Sequence, residues 1–301
     1  MIDQLLDKIE EMQNPTVVGL DPTYQMIPSF LRMQMLDVYG KTPRAVAEMF
    51  IHFNKEIIDH VYDLVPAVKP QIAMYEQYGL AGIGAYLETI DYAKKKGLLV
   101  IGDIKRGDIS STAAAYASHI GGTEIEGEYF DLWQEDAVTV NPYLGFDGIE
   151  PFVDICNEKN KAIFVLVKTS NLSSGELQDL HAGEKMVYER VAMLVRGWGE
   201  EAMGTKGYSK VGAVIGATYP EQGAKLRLLM PRTFFLVPGY GAQGGTGADL
   251  KGFFDATGRG CIINSSRGIT EAYKKSDKYN EQDFGAAARD AVLAMKADLR
   301  F

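Results

Sequence analysis

A chain of 301 residues with 24% charged and 46% apolar residues has an ordinary globular composition and enough length to bury one large core or two small ones. Its formal net charge of −9 argues against coating nucleic acid, and an anionic small molecule would have to be met by lysines and arginines placed locally against the global field. No window reaches the ~18 uninterrupted apolar residues of a membrane span, the opening seven residues carry acids where a secretory signal carries bases, and the two cysteines, Cys156 and Cys261, sit in apolar contexts, so a cytoplasmic protein with buried thiols is expected.

Eight short, β-rich apolar runs follow one another along the chain, at 16–21, 67–75, 98–105, 137–142, 162–170, 211–218, 234–239 and 261–268. They lack clean alternation and end in polar residues or glycine, as strands of a parallel sheet covered on both faces should. Segments with helical periodicity lie between them, at 45–64, 82–96, 183–198 and 220–229, and an alanine-rich amphipathic helix is expected at 283–299. Eight strands alternating with helices predict an α/β (β/α)8 barrel, one domain over residues 1–301. An open doubly wound sheet is the alternative, but no G-x-G-x-x-G opens a helix after the first strand. Residues 22–40 and 172–207 are long for barrel connections and read as insertions after strands 1 and 5. The acidic stretch 124–136 reads as a solvated approach to strand 4.

In such barrels the chemistry sits at the C-terminal strand ends. Strand 3 ends in Asp103-Ile104-Lys105-Arg106-Gly107-Asp108. Asp103 and Lys105 are two apart and point the same way on an extended chain. Lys69 arrives from strand 2 and Asp21 from strand 1, so acids and lysines can alternate in one network. A bare D-x-K-x-x-D could equally be a strand-end salt bridge, Lys69 a snorkelling side chain and Asp21-Pro22 a strand stop. The run Pro238-Gly239-Tyr240-Gly241-Ala242-Gln243-Gly244-Gly245 after strand 7 and Ser266-Arg267-Gly268 after strand 8 together suggest a phosphate site, with close-approaching backbone, an amide donor in Gln243 and the fork of Arg267. None of the four histidines lies at a strand end, no Cys/His cluster has zinc spacing, and Ser170 has no histidine near it in sequence. A lysine between Asp103 and Asp108 would compete with Mg²⁺ for their carboxylates.

These motifs, with Gly19-Leu20-Asp21-Pro22, Val68-Lys69-Pro70-Gln71 and Thr169-Ser170-Asn171, occur in order and at barrel spacing. In that combination the chain resembles the orotidine 5′-phosphate decarboxylase family over nearly its whole length, and specifically the longer bacterial-type branch. The resemblance implies decarboxylation of orotidine 5′-phosphate to UMP, with no cofactor or metal. It implies that Lys105 donates the proton to C6 and that Asp103 sits against the substrate carboxylate and orients the lysines. Asp21 and Lys69 would bind the ribose. Gln243 and Arg267 would grip the phosphate, and Pro238, Gly244 and Ser266 would also bind the substrate. Asp108, Ile109 and Thr112 would enter the site of the partner in a homodimer with shared active sites. Ser170 would touch the pyrimidine, although the insertion leaves open which of Thr169, Ser170 and Asn171 does so. The D-x-K-x-x-D run also resembles Mg²⁺-dependent sugar-phosphate decarboxylases or aldolases of the same superfamily. A non-catalytic nucleotide-binding protein is the alternative of another class. Lys69 and the Ser170–Gln243 pair favour the cofactor-free enzyme.

Overall fold

All eight β-rich runs form strands, and the strands close into one parallel barrel. They are β1 (Thr16–Leu20), β2 (Ala67–Pro70), β3 (Leu99–Arg106), β4 (Ala137–Val140), β5 (Ala162–Lys168), β6 (Ser209–Ile215), β7 (Thr233–Pro238) and β8 (Cys261–Ser265). Each pairs with the next in sequence, and β8 returns to β1 with Val17 opposite Asn264. The structure is a computed structural model that describes residues 1–241 and 245–300. Among the described residues, no helix is long and apolar enough to cross a membrane.

Side chains alternate between two cores. Val18, Val68, Val100, Val138 and Val165 face the surrounding helices, whereas Val17, Ala67, Leu99, Ile101 and Phe164 fill the barrel. The helix Ile2–Met12, which the sequence pattern did not announce, seals the N-terminal mouth. Its Ile2, Leu5 and Leu6 join the inner set at the beginnings of the strands. Burying one such side chain contributes roughly 1.5–3 kcal/mol. The opposite mouth is left to polar residues.

Several boundaries differ from the sequence reading. The run 67–75 stops being a strand at Pro70. Gln71 then caps the short helix Ile72–Glu76 by accepting the Ala73 N–H at 3.3 Å. After β8, the chain turns into the short helix Arg267–Thr270. In the insertion after β5, the helix begins at Val187, because residues before it form a small hairpin turning at Gly183 with φ 72°. The insertion after β1 contains the helix Ser29–Tyr39, stitched to the chain beyond β8 by the Ser29 N–H to Glu281 at 2.8 Å and the Tyr273 hydroxyl to the Met26 carbonyl at 3.1 Å.

The acidic stretch 124–136 is solvated only in part. It opens as an antiparallel hairpin, Thr123–Ile125 against Glu128–Phe130, but Glu135 is completely buried. Its carboxylate accepts from the Tyr86 hydroxyl and contacts His119 Nδ1 at 2.8 Å. It also lies so close to Gly102 that any side chain there would collide with it. Burial pushes the Glu135 carboxyl above its ordinary range, against the pull of His119.

Candidate active site

The site begins with an irregularity in β3. Its pairing to β4 runs Gly102 with Val138 and then Arg106 with Val140, so β3 spends two more residues than its neighbour. The bulge places Lys105 in a left-handed conformation, φ 48°. Thr139 of β4 stabilises it. The Thr139 hydroxyl oxygen accepts the Lys105 N–H at 3.0 Å, and the hydroxyl donates to Asp103 Oδ1 at 2.8 Å. Lys105 is thereby turned back along the barrel mouth, and its Nζ donates to the same Oδ1 at 2.5 Å.

The other oxygen of Asp103 is equally occupied. Lys69 Nζ donates to Oδ2 at 2.7 Å and Gln71 Nε2 at 3.0 Å. Two ammoniums, an amide and a hydroxyl thus converge on one nearly buried carboxylate. Burial raises the pKa of Asp103, but Lys69 and Lys105 outweigh it and hold the carboxyl well below the usual aspartate range. Lys69 shows the mirror image. Burial disfavours its charge, and Asp103 followed by Asp21 more than compensates, holding the ammonium above the usual lysine range. The pair is ionised at neutral pH, and removing either partner would strand the other charge.

Asp21 sits at the closing seam. Its Oδ2 accepts from the Ser266 hydroxyl at 2.6 Å, while Oδ1 lies 4.0 Å from Lys69 Nζ and accepts no hydrogen bond among the described residues. Asn264 Oδ1, nearby on β8, is also buried without a donor among the described residues. Gly19 on β1 admits Ser266, since a Cβ there would overlap its hydroxyl. Two unpaired acceptors at a barrel mouth suit the hydroxyls of a polyol.

Two adjoining hollows meet at this network. One, of about 350 Å³, has Lys69, Asp103 and Lys105 on one wall, Leu166, Val214 and Leu236 below, and 169–171 at the rim. The other, of about 190 Å³, shares Lys69, Asp103, Ser170 and Pro238 and adds Asp21, Ser266 and Arg267. Arg267 is exposed, and its guanidinium makes no hydrogen bond or ion pair among the described residues. An apolar slot, a charged seam and a free guanidinium in sequence match a planar ring, a hydroxylated linker and an anion.

A profile of the Orotidine 5′-phosphate decarboxylase / HUMPS family matches residues 17–281. The chain belongs to this family. It is 46% identical over 292 residues to the orotidine 5′-phosphate decarboxylase of Rhodopirellula baltica, covering 95% of this chain and 94% of that one. It is 42% identical to the corresponding enzyme of Petrotoga mobilis, covering 100% and 98%. Among solved structures, Leishmania donovani OMP decarboxylase superposes with a TM-score of 0.74 at 31% identity, covering 99% of this chain and 98% of that one. Leishmania donovani UMP synthase does so with a TM-score of 0.76 at 32% identity, covering 99% of this chain and 56% of that longer one. The protein is an orotidine-5′-phosphate decarboxylase, forming UMP in pyrimidine synthesis.

Most of the candidate residues of this decarboxylase come together. Asp21, Lys69, Asp103, Lys105, Ser170, Pro238, Ser266 and Arg267 all line the joined hollows. Asp108, Ile109 and Thr112 line neither. Asp108 is half-buried and accepts the Ile109 N–H at 2.8 Å, and Ile109 and Thr112 are exposed. Gln243 and Gly244 lie outside the described residues. Tyr240, in the run after β7, also lines the smaller hollow and donates to Asp298 Oδ2 at 2.7 Å. Sequence reasoning missed Thr139, Gln71 and Asn264. Parity offered a signal for two of them, since Thr139 shares the inward series of Ala137 and Gln71 lies two beyond Lys69. Cys156 and Cys261 are free and buried, as expected. His119 belongs to the Glu135 cluster, and no group of three metal-ligating side chains occurs among the described residues.

Proposed function

We propose that the Lys69–Asp103–Lys105 network performs the decarboxylation, with Lys105 as the acid. The observation that carries this reading is a single carboxylate gripping two ammoniums, at 2.7 and 2.5 Å, where an apolar slot meets the Arg267 hollow. The pyrimidine occupies the slot with its carboxylate toward Asp103. When the carbon–carbon bond breaks, CO2 departs and the electron pair stays on C6. The Lys105 ammonium stabilises that charge as it develops and then transfers a proton to C6. Lys105 is 44% exposed, so solvent can restore its proton, whereas Lys69, at 5%, is fixed and serves as a permanent charge. Asp21 and Lys69 hold the ribose. Arg267 and Ser266, with Pro238, Gln243 and Gly244, hold the phosphate, whose binding energy helps order the reacting end.

Each oxygen of Asp103 already accepts from one ammonium and one neutral donor, so a divalent ion would have to displace one of these donors and sit beside two ammoniums. This donor set favours the metal-free reaction over the Mg²⁺-dependent one. We also assign Asp108, Ile109 and Thr112 to the site of a partner subunit in a homodimer. They follow Lys105 closely, yet lie outside both hollows of their own chain. The free thiols agree with a reducing cytoplasm, and the barrel is read as one catalytic domain. The deciding experiment follows pyrimidine absorbance after adding orotidine 5′-phosphate with excess chelator. Undiminished turnover is expected, and loss of turnover that Mg²⁺ restores would overturn the cofactor-free mechanism.

A further inference from the structure

The insertion after β5 is fastened to the barrel at two consecutive residues, and the fastening lies directly behind the rim of the slot. The pairing of β5 with β6 slips by one residue at its end, from Leu166 opposite Val214 to Lys168 opposite Ile215. The slip takes Lys168 out of the inward series of Phe164 and Leu166. It turns the ammonium outward between the rings of Tyr219 and Tyr188, 4.6 and 5.6 Å from their centroids. There Lys168, fully buried, donates to both oxygens of Asp179 at 2.8 and 2.9 Å and to Ser174 at 3.3 Å. The neighbouring residues repeat the grip. Gln178 Oε1 accepts the Thr169 N–H at 2.9 Å, and Gln178 Nε2 donates to the Thr169 hydroxyl at 2.7 Å. That hydroxyl in turn donates to Asn171 Oδ1 at 2.6 Å.

The next residues, 169–171, form the rim of the slot opposite the lysines. They are braced on the far side as well. The Thr218 hydroxyl donates to the Ser170 carbonyl at 3.3 Å, and a Cβ at Gly216 would come within 2.8 Å of Ser170 Cα. A turn held on both sides is preorganised for a ligand, and preorganisation is what turns a polar rim into affinity. A charge as deeply buried as Lys168 is costly for a surface insertion unless it fixes geometry that matters.

We propose that Lys168, Gln178 and Asp179 are positioning residues for base recognition: the insertion acts as a strap that sets the 169–171 turn against the pyrimidine. This rests on the assignment of that turn to the base. The test uses two ligands that share ribose and phosphate and differ in the base, UMP and ribose 5-phosphate. Asp179→Asn weakens the buried ion pair, and Gln178→Ala removes the grip on Thr169 without stranding a charge. Each variant should weaken UMP about tenfold, the worth of roughly one hydrogen bond, and raise KM for orotidine 5′-phosphate in step with a smaller change in kcat. Ribose 5-phosphate should bind as before. Equal weakening of both ligands would mean general damage and overturn the proposal, even if Asp179→Asn alone folds poorly, because Gln178→Ala remains as the probe. A Ser170→Ala/Asn171→Ala control separates the two levels. If it leaves UMP binding intact, the turn does not read the base and the underlying assignment fails. If it weakens UMP while Gln178→Ala and Asp179→Asn do not, the strap alone is refuted.

Discussion

Two buried carboxylates stand back to back across β3, and they behave oppositely. Asp103 faces the barrel mouth, while Glu135 presses on Gly102, the preceding residue, from the helix side. Asp103 is met by two ammoniums and held well below the ordinary aspartate range. Glu135 is met by a tyrosine hydroxyl and an imidazole, and burial wins, raising its pKa. Burial alone therefore does not mark a reactive group. What distinguishes the site is charge supplied in excess, with one of the lysines left open to substrate.

The largest expected effect separates the two sides of the strand. Lys105→Ala should cut kcat by about 10³-fold or more while UMP binding largely persists, because the lost charge acts on the transition state. Asp103→Asn should lose at least ~10²-fold, whereas Glu135→Gln should stay near wild-type turnover. Steady-state kinetics on the three variants decides this, and a Lys105→Ala enzyme with a tenth of normal kcat would remove that residue from the acid role.

Arg267→Ala should lower kcat/KM by on the order of 2–4 kcal/mol, the worth of a charged hydrogen bond to phosphate. Orotidine without its phosphate is the control substrate. An equal loss on it would show that Arg267 does not grip the phosphate.

A smaller recovery is expected from mixing inactive proteins. Lys105→Ala and Asp108→Ala, each shown to be folded, would be refolded together in equal amounts. If Asp108 serves the partner, half the dimers are hybrids with one intact site of two, and activity should rise to roughly a quarter of wild type. Hybrid dimers captured by tag but inactive would put Asp108 back in its own subunit.

The smallest effect is a pair of opposed pH slopes in thermal stability. Asp103 has a lowered pKa, so its contribution is present above the ordinary value of 3.8 and is lost as pH falls through the folded value. Glu135 has a raised pKa, so its protonated form favours folding. Its contribution is greatest below the ordinary 4.5 and declines as pH rises toward the folded value. Melting curves against pH should therefore lose acid sensitivity in Asp103→Asn. In Glu135→Gln they should lose the decline just above pH 4.5.

The barrel was legible because its strands are short apolar runs buried on both faces, and Lys69 and Asp103 because neighbouring strands pair. Lys105 was singled out by parity on an extended strand, whereas the bulge, with φ 48°, is what returns its ammonium to Asp103. The rest needed tertiary partners. Nothing in Thr139 announces that it will stabilise a bulge two strand-residues long. Glu135 looks like one more acid in a solvated stretch until Tyr86, from an earlier helix, and His119, from the helix just before it, close over it. The helix Ile2–Met12 shows its apolar stripe of Ile2, Leu5 and Leu6 amid acids, and only an open barrel mouth gives that stripe a purpose.

The bond between Asp21 and Ser266 spans 245 residues and crosses the seam where β1 meets β8. During synthesis the ribosome delivers Asp21 early and Ser266 and Arg267 only after all eight strands have emerged. In the proposed site, until the last strand docks the nucleotide would lack both the partner of Asp21 and the guanidinium of Arg267 for its phosphate. Nucleotide binding at the proposed site would therefore report ring closure, and a ligand bridging the seam would add its binding energy to the final joint of the barrel and slow its reopening.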